Sequence, residues 1–320
     1  SSSRNKITWS EWFILTRNRP RVTAISSICN DRITPLKLPD ILLAILVPTF
    51  WGLGFTIAKV AFVYVAFPPI LLMAFRFALT ALILVWFVKP PFGMMMKIFW
   101  IAVVSATIQY SLTFTGLDGL DASTAVIIVQ LEAPFIAILA AVVLKDRLGT
   151  RRTIGMVLAF LGVILTAGEP RLQGDLLPVF MVAGGAFMWA VGQIMVKNLG
   201  GQIGGFTLIA WVAVFATPQL FLSSWLFEEG QIQAMKTAGW IGWGAVVYMG
   251  LVMTALGYAI WYHLIGKFKV NQVMPFLLLV PVTSIIGSIL ILGESLSPRE
   301  MAGSVIVIAG VWVITSYMPA

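Results

Sequence analysis

The stretch Ala133-Pro-Phe-Ile-Ala-Ile-Leu-Ala-Ala-Val-Val-Leu-Lys-Asp-Arg-Leu-Gly-Thr-Arg-Arg-Thr-Ile-Gly155 is an apolar run with a proline near its start, a short charged break and a glycine beyond it. The pattern returns from Pro281: Gly293-Glu-Ser-Leu296, Gly303 and Gly310 echo Lys145-Asp-Arg-Leu148, Gly155 and Gly162. The glycine pairs share one spacing, and a single extra residue separates them from the proline in the second copy. Trp51 and Lys59 likewise end one apolar run as Trp189 and Lys197 end a later one. The chain therefore reads as two copies of one unit.

Counting apolar runs outward from this echo gives ten, at approximately 41–60, 68–88, 98–117, 122–144, 153–168, 176–196, 204–227, 238–262, 270–292 and 301–317. About 20 apolar residues cross the roughly 30 Å of membrane hydrocarbon. Backbone polar groups cannot stay unpaired there, so the runs are expected to be helices. Breaks such as Lys89-Pro-Pro-Phe-Gly93, Lys145–Arg152 and Glu228-Glu-Gly230 separate them. The expected fold is thus an all-α membrane protein: residues 1–40 a basic tail, 41–168 one five-helix repeat, 176–317 another. Five is odd, so the second copy enters the membrane inverted, the plan of secondary transporters with a site near the midplane.

Composition agrees. Of 320 residues, 59% are hydrophobic and 11% charged, against about 25% charged in soluble domains. One cysteine, Cys29, and one histidine, His263, exclude an internal disulfide or a Cys/His metal cluster. No GxxxxGK[ST] loop or HExxH helix is present, and no cofactor is called for. With both ends cytoplasmic, 16 of the 21 Lys and Arg fall on the inner side and eight of the 13 acids on the outer side. The formal charge of +8 then meets anionic lipid, not nucleic acid. In the polar tail, Trp9 and Trp12 are candidates for lying on the membrane.

Three charges fall within the runs: Lys59, Arg76 and Glu132. Such residues are costly in lipid and usually face the bundle interior. Lys59 and Lys197 lie near run ends, where a long stem reaches the headgroups. Arg76 and Glu132 lie at similar depth, about 12–15 Å from the outer surface at 1.5 Å per residue. They are expected either to pair structurally or to bracket a transport cavity. In the second case Arg76 takes a substrate carboxylate, and Glu132 an ammonium group or a coupling proton. Gln109, Tyr110, Gln130, Gln193, Tyr258, Trp51, Trp189 and Trp211 complete a candidate cavity wall, with helix packing as the plain alternative for each. Pro48, Pro134, Pro218, Pro275 and Pro281 are hinges or static bends.

Trp51-Gly with Lys59, Leu72-Met-Ala-Phe-Arg-Phe77, and the Pro134 and Pro281 stretches resemble the EamA-type transporters of the drug/metabolite transporter superfamily, over about 40–317. Thr254-Ala-Leu-Gly-Tyr-Ala-Ile-Trp261 and Pro275-Phe-Leu-Leu-Leu-Val-Pro281 resemble the branch exporting cysteine and O-acetylserine; Glu132 departs from that branch, which carries an uncharged polar residue there. The resemblance implies export, by alternating access, of amino acids or related metabolites across the bacterial inner membrane. The implied partners are a small solute and lipid, and the chain is either a monomer or a homodimer. The alternatives are an exporter of drug-like cations or nucleotide sugars, or, in another class, an intramembrane enzyme or a non-transporting membrane protein.

Overall fold

The computed structural model describes residues 37–143, 149–167, 176–199, 202–268 and 273–315. The tail with Trp9, Trp12 and Cys29, the break Lys145–Leu148 and the last five residues lie outside the described residues. Among the described residues every regular element is helical. α1 (Leu38–Val65) and α2 (Pro69–Leu84) come first. α3 (Met95–Ala102) and α4 (Gln109–Asp118) are joined into one rod by a π-helical segment, Val103–Ile108. α5 (Ala122–Val129), α6 (Glu132–Val143), α7 (Thr150–Ala167), α8 (Leu177–Lys197) and α9 (Gly205–Phe227) follow. The short α10 (Gln231–Thr237) precedes α11 (Gly239–Val247), a second π segment Tyr248–Leu256, and α12 (Gly257–Lys267). The last elements are a 3-10 turn Met274–Leu278, α13 (Leu279–Gly287), a third π segment Ser288–Leu292, and α14 (Pro298–Thr315).

Among the described residues seven helices are long and apolar enough to cross a membrane: Leu38–Val65, Pro69–Phe87, Met95–Asp118, Ala122–Val143, Leu177–Lys197, Gly205–Phe227 and Gly239–Trp261. The expected fifth and ninth runs are shorter apolar helices, Thr153–Thr166 and Phe276–Leu292. Two expected boundaries move. α1 begins before residue 41, because Pro39 suits a first helical turn and the Asp40 carboxylate accepts the Lys37 N–H at 3.3 Å. Arg151 and Arg152 belong to α7, not to the preceding break.

Helix ends are set by local chemistry. α1 stops at Ala66 in the left-handed conformation, with the Phe67 N–H reaching back to the Ala61 carbonyl at 3.2 Å and two prolines following. Ser297 and Glu300 form a reciprocal capping box around Pro298, at 2.9 and 3.1 Å. Packing uses small residues, as helix association in lipid favours. A Cβ on Gly155 would lie 2.7 Å from the Gly310 carbonyl, and one on Gly162 2.8 Å from that of Gly303, so the echoed glycines are the contact between α7 and α14. Gly185 and Gly192 of α8 receive Thr113 and Ser105 of the α3–α4 rod, and Gly52 of α1 receives Thr283 of α13.

Candidate functional site

Arg76, on α2, is 2% exposed. Its Nε donates to Thr254 Oγ1 at 3.0 Å and its Nη2 to the Tyr110 hydroxyl at 3.3 Å, while Nη1 lies 3.7 Å from Met73 Sδ. The guanidinium carbon stands 4.7 Å from the Tyr110 ring centroid and 5.4 Å from that of Phe77. Two π segments make this arrangement. Tyr110 follows the first, and Thr254 lies within the second, where its hydroxyl donates to the Met249 carbonyl at 2.8 Å. Thr80 clamps α2 to the same segment by reaching the carbonyls of Arg76 and Gly250. π segments inside helices are frequent at functional sites. No carboxylate among the described residues lies within 4 Å of Arg76. A buried cation held only by neutral groups carries an uncompensated desolvation cost.

Of the two expectations for Arg76 and Glu132, the direct ion pair is therefore absent. Arg76's helix packs against α4, α9, α11 and the second π segment, whereas α6 packs against α7, α8 and α14. Equal depth did not mean a shared face. Glu132 instead opens α6 at a break in what looked like one run: α5 ends at Val129, and Gln130 and Leu131 form a tight turn. Pro134 supplies the cause, since it has no N–H and its ring clashes with the carbonyl four residues back, that of Gln130. Glu132 thus sits at the positive end of a half-helix. It is half-buried and meets no hydrogen-bond or ion-pair partner among the described residues.

The remaining expected residues divide into groups. Trp51 donates from Nε1 to the Met253 carbonyl at 3.0 Å, next to the threonine that holds Arg76, and its ring lies 5.1 Å from Tyr258 and 6.0 Å from Trp261. Gly257 is required there, because a Cβ would come within 2.8 Å of Trp51 Nε1. Gln109 turns away from Arg76: its Nε2 donates to Thr113 at 3.1 Å on the face met by Gly185, and its buried Oε1 has no partner. Trp189 and Gln193 are half-buried on α8, and Trp189 shares by helical spacing the side of Gly185 and Gly192 that meets the rod. Gln130 is half-buried in the turn before Glu132. Trp211 packs beside Phe215, its buried Nε1 without a partner. Sequence reading missed Thr254, Thr80 and the Thr107–Gln219 pair at 2.6 Å. Among the described residues no cluster of His, Cys, Asp or Glu fits a metal ion.

Carboxylates close one end of the bundle. Glu228 accepts the N–H groups of Ile70 and Leu71 at 2.6 and 3.0 Å, capping α2. Burial pushes its carboxyl above the ordinary glutamate value, with those two N–H groups pulling the other way. Gly293, left-handed, turns the chain so that Glu294 caps α5 through Ala122 and Ser123 at 2.7 and 3.1 Å. Glu300 accepts the Thr124 hydroxyl at 2.9 Å. Lys59 does not reach only for headgroups: it donates to the carbonyls of Leu117 and Asp118 at 3.2 and 2.5 Å, at the negative end of α4. At the opposite end Lys267 pairs with Asp40 at 2.7 Å, while the neighbouring His263 is exposed.

A family model for the EamA-like transporter family matches residues 38–168 and again 176–316. A probable amino-acid metabolite efflux pump of Salmonella typhimurium is 31% identical over 86% of this chain and 94% of its own length. The protein of the same description from Escherichia coli is 28% identical over the same shares. A crystal structure of a protein 17% identical covers 84% of this chain and 94% of that one with a TM-score of 0.60, a likeness of fold alone.

Proposed function

Because this chain belongs to the EamA-like transporter family and is a multi-pass protein of the bacterial inner membrane, we propose that it exports amino acids or related carboxylated metabolites. In this reading ten spans form two inverted five-helix repeats with both ends cytoplasmic, and the solute passes between them by alternating access. One observation carries the solute class: Arg76, buried beside Tyr110, has a guanidinium charge that no carboxylate of the described chain answers. A bidentate solute carboxylate is the natural partner of such a group. Glu132, at the start of a half-helix, is proposed to carry a coupling proton.

The names of the relatives, both probable amino-acid metabolite efflux pumps, support the same class. A second reading, export of drug-like cations, is favoured by one feature only: Glu132 is a carboxylate with no cationic partner among the described residues. Nucleotide sugars would call for more basic groups around the site than Arg76. The deciding experiment is uptake into proteoliposomes of radiolabelled amino acids, their decarboxylated amines and organic cations, with and without a pH gradient. Amino acids should be carried and the matching amines should not; transport of amines with Arg76 dispensable would overturn the carboxylate reading.

A further inference from the structure

The α3–α4 rod, which carries Tyr110, holds a second polar group about one turn before it. The Thr107 hydroxyl donates to Gln219 Oε1 at 2.6 Å, which fixes the amide and leaves its Nε2 pointing elsewhere. That nitrogen is shut off from solvent with no partner, and so is Ser111 Oγ, one helical turn beyond Thr107. Buried donors are rarely left unmet, since each costs a few kcal/mol without a partner. At 100° per residue Tyr110, Thr107 and Ser111 fall within one arc of about 100° on the rod. The ring that stacks on Arg76, the hydroxyl that reaches Gln219 and the unpartnered Ser111 hydroxyl thus share a side of it. Gln109 lies on the other side, against Gly185.

Helices α2 and α9 flank this face. Phe75 and Phe221 meet edge to face at 5.2 Å where α2 packs against α9. We propose that Gln219, braced by Thr107, is a specificity-determining residue of the transport site, donating to a hydrogen-bond acceptor on the part of the solute remote from the carboxylate at Arg76. The proposal rests on the carboxylate reading above. It adds a second point of recognition: an uncharged acceptor, such as a carbonyl, in the solute's side chain.

The test is competition for flux in proteoliposomes by two amino acids of similar length, glutamate γ-methyl ester, whose side chain carries a carbonyl, and methionine, whose side chain lacks one. Gln219→Leu should weaken competition by the ester about five- to tenfold, the worth of one buried hydrogen bond, and leave methionine unchanged. Thr107→Val, which keeps Gln219 but removes its brace, should move the ester in the same direction by less. Equal losses for both solutes, or no change for the ester in either variant, would overturn the assignment while leaving Arg76 in place. If the wild-type protein ignored both amino acids and carried amines, the carboxylate reading would fall and this inference with it.

Discussion

Arg76→Met separates a structural arginine from a ligand-binding one. The substitution deletes the hydrogen bonds to Thr254 and Tyr110 and the stack on the Tyr110 ring. Hydrogen bonds to a charged group contribute about 1.5–3 kcal/mol each, and a desolvated cation–π contact about 2 kcal/mol. The gross loss is on the order of 5–8 kcal/mol. Against it stands the desolvation of an ion without a counter-ion, several kcal/mol in protein interiors. The two nearly cancel, so stability should change by less than about 2 kcal/mol. A carboxylate bound to Arg76 is a different matter: removing one member of a buried ion pair costs about 3–5 kcal/mol, or about 100-fold or more in affinity. The assays are thermal unfolding in detergent and competition for uptake by amino acids. Near-unchanged unfolding with lost amino-acid competition is the expected pair of results. Sharply lowered unfolding with intact competition would refute the reasoning.

Four further outcomes follow from the same geometry. Glu132→Gln should abolish the dependence of transport on a pH gradient while leaving exchange of solute for solute across the membrane; full gradient-driven transport would remove Glu132 from coupling. Gly310→Ala, whose Cβ would meet the Ala159 nitrogen and the Gly155 carbonyl at 2.6 Å, should cost about 1–3 kcal/mol. Gly244→Ala, in the exposed part of a helix with no atom within 4 Å of the new Cβ, should gain about 0.4–1 kcal/mol; both are read by thermal unfolding. The Glu228 carboxyl lies above its ordinary value in the folded protein. Its contribution is therefore full below the ordinary glutamate value and is lost as pH rises through the raised one. Glu228→Gln should flatten that part of the stability profile, and an unchanged slope would assign it elsewhere.

Hydropathy made the helices legible because length and apolarity are local properties. The glycines were legible too: the echoed Gly155, Gly162, Gly303 and Gly310 meet backbone to backbone between α7 and α14. What escaped was anything set by which face meets which neighbour. Arg76 and Glu132 count to a similar depth along their apolar runs, yet packing places their helices in different company. The π segments leave no hydropathy signature, yet they set the register of Tyr110 and Thr254. Thr107 and Gln219 are unremarkable singly and acquire meaning only from their bond. Lys59 near a helix end read as a lipid anchor, and only the adjoining end of α4 shows what its ammonium meets.

Under the proposed function, that separation of charges bears on how a solute and a coupling proton would share the path. If Arg76 and Glu132 faced each other, a zwitterion could bridge them and the carboxylate would serve as an ammonium site. They sit instead on helices with different neighbours, α2 against α4 and α9, α6 against α8 and α14. A small amino acid with its carboxylate on Arg76 meets Tyr110 and the face of the rod first, where the groups without partners are a hydroxyl and an amide nitrogen. Glu132, at the positive end of its own half-helix, is then available for a proton independently of the solute's ammonium. On this division an amino acid whose nitrogen is acetylated, and so uncharged, should still compete for transport, while its methyl ester, lacking the carboxylate, should not. Dependence on the free ammonium would mean that Glu132 binds solute, and the two roles would have to be merged.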